Sequence, residues 1–187
     1  MKTRSRPRQA VTVRRPFHTL TCVGTFAHHT FELAAGVGLV FQPYLGLAGA
    51  GALWGLTLPA WFAASATGSS RWERPLAFLA GLSVGGSAVH FTLWPWTAQR
   101  GPPLLTEAEG LRPELLPAYN AVLYAWGLSA LAALALETPR GVRRWGAAGM
   151  LAAVPLRFSA RHHFRWLVEQ ARSNPAWWNR GVPARAA

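Results

Sequence analysis

The sequence predicts an all-α integral membrane protein: a bundle of four transmembrane helices, with a fifth as the alternative, followed by a basic amphipathic C-terminal helix lying in the membrane interface. Three observations carry this. Apolar residues make up 51% of the 187 positions and charged residues only 14%, whereas an ordinary soluble domain is about 25% charged. The basic residues are clustered and separate long apolar runs, which is the pattern of loops flanking membrane spans. The runs are long and lack the period-two alternation of barrel strands, so helices are expected. The balance of 19 Lys and Arg against 7 acids, none of them Asp, gives a net charge of +12. The apolar content excludes intrinsic disorder, and the single Cys22 excludes a disulfide scaffold. No nucleic-acid partner is expected, because the basic residues punctuate apolar runs instead of interleaving with a folded core.

The elements follow in chain order. Residues 1–16 form a basic arm with Lys2, Arg4, Arg6, Arg8, Arg14 and Arg15. An apolar run after a basic arm resembles a signal peptide, but this one is long, is interrupted by His28, His29 and Glu32, and lacks a well-placed small-residue cleavage site. It is read as a retained first span. A span needs roughly 20 mainly apolar residues. Residues 17–41 suffice and are broken by Gln42-Pro43-Tyr44; residues 49–67 follow, closed by Thr67-Gly68-Ser69-Ser70. Pro75 opens a third span over 75–96, and residues 118–136 form the fourth, stopped by Pro139 and Gly141. The bundle thus occupies 17–137. Between its third and fourth spans lies a polar loop, 97–117, with Glu107, Glu109 and Glu114 against Arg100 and Arg112.

Charge orients the bundle. The basic arm, the Arg71/Arg74 loop and the Arg140, Arg143 and Arg144 loop belong in the cytoplasm, and the two poorly basic loops outside. This gives a multi-pass protein of the cell membrane with its N-terminus in the cytoplasm. In the remaining stretch, 138–187, the apolar segment 145–156 is short and contains Pro155, so it is expected not to span; a fifth span there would put six arginines outside. Beyond it, Ala160, Phe164, Leu167, Val168 and Ala171 share one helical face, and Arg161, Arg165, Glu169 and Arg172 a neighbouring one. An interfacial helix results, with Arg157, Arg161, Arg165 and Arg172 toward lipid headgroups. Trp177 and Trp178 then read as an interface anchor.

Polar residues inside spans are costly and usually face the bundle interior. His18, Thr21, Thr25, His28 and Glu32 recur at three- and four-residue spacing, on one face of the first span. Cys22, a small filler, and His29 border that stripe. Ser83, Ser87, His90, Trp94 and Thr97 form a similar row, as do Trp54, Thr57, Trp61 and Ser65, and Asn120, Tyr124 and Gly127. Glu32 lies fifteen residues into the first span and His90 fifteen into the third, so both sit at one depth. Glu32, His28, His29, His90 and Tyr124 are therefore the candidate catalytic cluster.

Two functional classes fit. In one, the cluster performs acid–base chemistry on, or binds, a lipidic or isoprenoid-like molecule, since burial brings carboxyl and imidazole toward neutrality. In the other, the chain is a non-catalytic membrane subunit or scaffold whose polar residues fix helix packing. A proton or small-solute path ranks third. No cofactor is expected. His28, Glu32 and His90 are metal-ligand types, but adjacent histidines diverge by about 100° on a helix; a b-type haem would need His28 or His29 paired with His90. His162 and His163 read as surface residues. Gly81 and Gly85 suit close packing with a second copy or a membrane partner. No phosphate loop or Ser-His-Asp pattern is present.

Overall fold

A computed structural model describes residues 14–98 and 101–182; most of the basic arm, Arg100 and Arg185 lie outside the described residues. The chain is helical: α1 Pro16–Ala35, α2 Gln42–Thr67, α3 Glu73–Leu93, α4 Leu116–Ala132 with a π turn over Ala133–Glu137, α5 Arg143–Ala153 and α6 Leu156–Ser173. The only strands among the described residues are Trp96–Thr97 and Leu104–Leu105, paired antiparallel within the loop between α3 and α4. Three segments are long and apolar enough to cross a membrane: Gln42–Thr67, Ser70–Leu93 and Pro113–Glu137.

α1 begins at Pro16, whose missing N–H costs nothing in the first turn. It has no side-chain cap of its own. The Glu137 carboxylate instead accepts the Phe17 and His18 N–H groups at 2.8 and 2.9 Å, tying the end of α4 to the start of α1. Arg15 donates to the Ser69 and Gly68 carbonyls that end α2. α1 stops at Gly36, which takes a positive φ of 78°, a conformation that suits glycine. The expected break at Gln42-Pro43 is instead the start of α2, with proline in its first turn, and a second bend falls at Gly46.

The burial pattern of α1 is inverted. Its buried residues are His18, Thr21, Cys22, Thr25, His28, His29 and Glu32, while Leu20, Val23 and Phe26 face outward about half exposed. α1 packs mainly on α4, with Gly24 against Trp126, and on α2, where the Cys22 thiol donates to the Leu58 carbonyl at 3.4 Å.

The tail departs from expectation. α5 runs parallel to α3 and makes the closest helix contact in the fold: Gly81 faces Gly146, Gly149 faces Phe78 and Leu82, and Gly85 faces Ala153. Gly81 and Gly85 are thus covered by the chain's own α5, not offered to a partner. Only Val154 and Pro155, both with right-handed dihedrals, separate α5 from α6. Phe164 reaches Trp94 beyond the end of α3. The segment continues to the end opposite Pro16, where the Gly38 N–H bonds to the Trp178 carbonyl and the Gly181 N–H to the Gly36 carbonyl. The chain therefore makes five lengthwise passes, and the tail does not return to the N-terminal end. Reading 145–156 alone missed this, because Pro155 interrupts the hydrogen-bond ladder without ending the helical path. Arg157, Arg161, Arg165 and Arg172 are spread along about 22 Å of α6 at 1.5 Å per residue; the last three are exposed, whereas the Arg157 Nε is buried.

Candidate functional site

Glu32 is the centre. It lies one turn after His28 and just under one turn after His29, so both rings reach it: His28 Nε2 is 3.2 Å from Oε1 and His29 Nδ1 is 3.5 Å from Oε2. The divergence of adjacent histidines is overcome because the carboxylate stands between them at i+4 and i+3. His90, from α3, brings Nε2 to 3.9 Å from Oε1; the depth count that paired it with Glu32 matches this placement. The pair is in contact but not hydrogen-bonded.

Tyr124 does not join. Its hydroxyl donates to the Pro103 carbonyl and its ring lies against Phe91. The tyrosine at the site is Tyr119, fully buried, whose hydroxyl donates to Glu32 Oε1 at 2.8 Å. The inward face of α4 is Tyr119, Leu123, Trp126 and Ala130; Tyr124 lies five residues, or 140° of rotation, from Tyr119. Asn120 is buried but turned to the loop, holding Leu105 through its N–H at 2.8 Å and its carbonyl at 3.1 Å.

That loop supplies a second carboxylate. Ala108 and Leu111 are buried under it, and Glu109, at a positive φ of 49° beside Gly110, is turned inward to 3.8 Å from His90 Nε2. Burial first, then the neighbouring Glu32 charge, raise the Glu109 carboxyl well above its usual range. The position of Glu109 in an acidic loop hid it, since such groups are ordinarily solvated.

Aromatic rings pack the cluster. Trp126 stacks on His28 with centroids 4.8 Å apart, Trp54 lies 4.1 Å from His29, and His28 meets His90 edge to face at 5.0 Å. That contact leaves no slot for a porphyrin between His28 and His90. His163 is a further departure from expectation. It is buried, with Nε2 lacking a hydrogen-bond partner among the described residues, whereas His162 is exposed against Tyr44.

A cavity of about 470 Å³ ends at this cluster. Its walls are mostly apolar: Leu53, Trp54 and Trp61 of α2; Leu76, Leu79 and Val89 of α3; and Leu156 and Ala160 of α6. Pro75 and His90 mark its extremes along α3, about 22 Å apart at the helical rise. α2 and α3 scarcely touch, and the cavity lies between them. Glu32, His28, His29, His90, Glu109 and His163 all border it.

No protein-family model, no curated protein and no solved structure matches this chain.

Proposed function

We propose that this chain is a multi-pass protein of the cell membrane that admits an apolar, lipid-derived molecule between α2 and α3 and performs acid–base chemistry on its polar end at Glu32. The observation that carries the reading is the apolar cavity between α2 and α3, ending on a buried carboxylate ringed by imidazoles. Its volume lies within the range of about 300–1,000 Å³ usual for small-molecule sites.

The membrane part is supported by the inverted burial of α1 and by bare apolar side chains elsewhere. Leu56, Leu128, Leu136 and Leu151 are 59–74% exposed, an arrangement that is costly in water and natural in lipid. Seven arginines, Arg14, Arg15, Arg71, Arg74, Arg140, Arg143 and Arg144, lie toward the N-terminal end, against Arg112, Arg161, Arg165, Arg172 and Arg180 toward the other; this modest excess favours a cytoplasmic N-terminus. With five passes, the C-terminal tail then lies on the other side of the membrane.

The chemistry follows from geometry. Tyr119 and His28 orient Glu32 through Oε1, while Oε2 and His29 Nδ1 face each other at 3.5 Å. A proton taken by this pair and returned at another position of the guest would be an isomerisation, which needs no co-substrate. A group held within reach of its proton in a dry site typically contributes 10²–10⁴-fold. A purely structural network is less well supported, because it would be expected to bond Glu32 directly to His90 and leave no cavity beside them.

The test uses the purified full chain in lipid with a photoactivatable fatty-acid or isoprenoid probe. Labelling should map to the walls contributed by α2 and α3, and Leu79→Trp, which fills the cavity, should abolish it. Glu32→Gln should keep labelling and lose cellular function. Absence of labelling, or native function in Glu32→Gln and Glu32→Leu alike, would overturn the reading.

A further inference from the structure

The cluster brings one imidazole and two carboxyl groups to a single point. His90 Nδ1 lies 2.9 Å from the Gly86 carbonyl. A carbonyl only accepts, so Nδ1 donates in that contact and Nε2 is the ring nitrogen turned to the carboxyl groups. It faces Glu32 Oε1 at 3.9 Å and Glu109 Oε1 at 3.8 Å. A nitrogen and two carboxylate oxygens thus converge at distances too long for hydrogen bonds. Ligand atoms about 2.1 Å from one ion stand roughly 3.4–3.6 Å apart in tetrahedral or trigonal geometry. The two His90–carboxylate distances lie within a few tenths of an ångström of that, and all three ligand atoms lie within 4.8 Å of one another.

Independent observations on other side chains point the same way. His28 Nδ1 and His163 Nε2 are buried without hydrogen-bond partners among the described residues, while His29 Nδ1 faces Glu32 Oε2 at 3.5 Å. All three rings border the cavity that ends at this cluster. His28, His29 and Glu32 bring ligand atoms within 4.8 Å of one another, as do Glu32, His90 and Glu109. The supporting contacts are those of a metal site. A histidine ligand characteristically donates its other ring N–H to a backbone carbonyl, and a ligating carboxylate is itself hydrogen-bonded; here Gly86 and Tyr119 fill those roles.

We infer that Glu32, His90 and Glu109 hold one divalent first-row transition-metal ion at the end of the apolar cavity. Imidazole with carboxylate favours zinc, iron or manganese over calcium or magnesium. Three protein ligands leave a position open toward the cavity, where the ion polarises an oxygen of the guest. With the ion on the Oε1 side, Oε2 and His29 remain for proton transfer. The inference rests on the proposed function only for that guest; the ion site itself depends on side-chain geometry alone.

The experiment measures metal content of the full chain, purified in detergent without chelator, by mass spectrometry. Chelator-stripped protein is then titrated with Zn²⁺ and, as a visible probe, Co²⁺. About one ion per chain is expected. Glu109→Gln and His90→Gln should each weaken Co²⁺ binding at least about tenfold, and His90→Gln should also remove its nitrogen-ligand absorption, while Tyr124→Phe behaves as native. Circular dichroism identifies a variant that has not folded, and Glu109→Gln, on the loop, is the safer of the pair. Folded native chain that takes up no Zn²⁺ or Co²⁺, or Glu109→Gln and His90→Gln that bind as native, would overturn the inference. Metal binding without lipid-probe labelling would overturn the proposed function alone; labelling without metal would overturn this inference alone.

Discussion

Replacing Gly81 with alanine tests whether the tail is part of the bundle. A Cβ at Gly81 would drive into the Gly146 carbonyl, and one at Gly149 into the Phe78 carbonyl. Both obstacles are backbone, so no side-chain rotation relieves them. Overpacking of this kind costs about 1–3 kcal/mol, and two substitutions in one interface are not additive. Gly51 is the control. It lies inside α2 with nothing within 4 Å of its Cβ position, so Gly51→Ala gains at most about 1 kcal/mol of helix propensity. Gly81→Ala should therefore fall about 1–4 kcal/mol below Gly51→Ala. At roughly 2–4 °C per kcal/mol for a chain of this size, that is several degrees by thermal unfolding in detergent. Limited proteolysis should show the tail released first, since α5 is the element pushed away. Equal melting of Gly81→Ala and Gly51→Ala, with the tail equally protected, would refute the α3–α5 packing.

The remaining predictions address the site, the cap and the topology. Tyr119→Phe should cost about 1.5–3 kcal/mol, the worth of a hydrogen bond to a charged group, and Tyr124→Phe about 0.5–1.5 kcal/mol; denaturant titration separates them. Glu137→Ala should cost about 0.5–2 kcal/mol by uncapping α1, read as earlier loss of helicity on heating. In a Cys22→Ala background, Ser70→Cys and Ser173→Cys should be labelled by a membrane-impermeant maleimide from opposite sides; labelling from one side would rule out five passes.

Much of the helical layout was legible because polar and apolar positions segregate with helical period. The row from His18 to Glu32 is the buried face of α1, and equal counting from the span starts brings His90 to Glu32. The rest depended on information that periodicity does not carry. Tyr119 was passed over because Asn120 and Tyr124 make a plausible stripe of their own, and only packing against α1 selects the phase. Glu109 depends on a loop that folds inward, through Asn120 and a left-handed residue, so its sequence neighbourhood reads as solvated. His163 is buried because α6 continues the path of α5 across the bundle. Pro155 and the arginines argued against that path, while the glycines at 146 and 149 that favour it have meaning only once their partners on α3 are known.

The inverted face of α1 has a consequence for biosynthesis. Its chief partner is α4, and Glu32 waits for a tyrosine 87 residues further along the chain. At about 5–20 residues per second of synthesis, α1 spends roughly 4–17 seconds with three histidines, a carboxylate and three hydroxyl or thiol groups lacking their final surroundings. Such a helix is a poor candidate for stable insertion by itself. If the proposed membrane location holds, its residence in lipid becomes secure only when α4 emerges and Glu137 caps its first turn. A nascent chain interrupted before α4 then presents α1 as an unassembled polar segment, while a chain that reaches Glu137 conceals it.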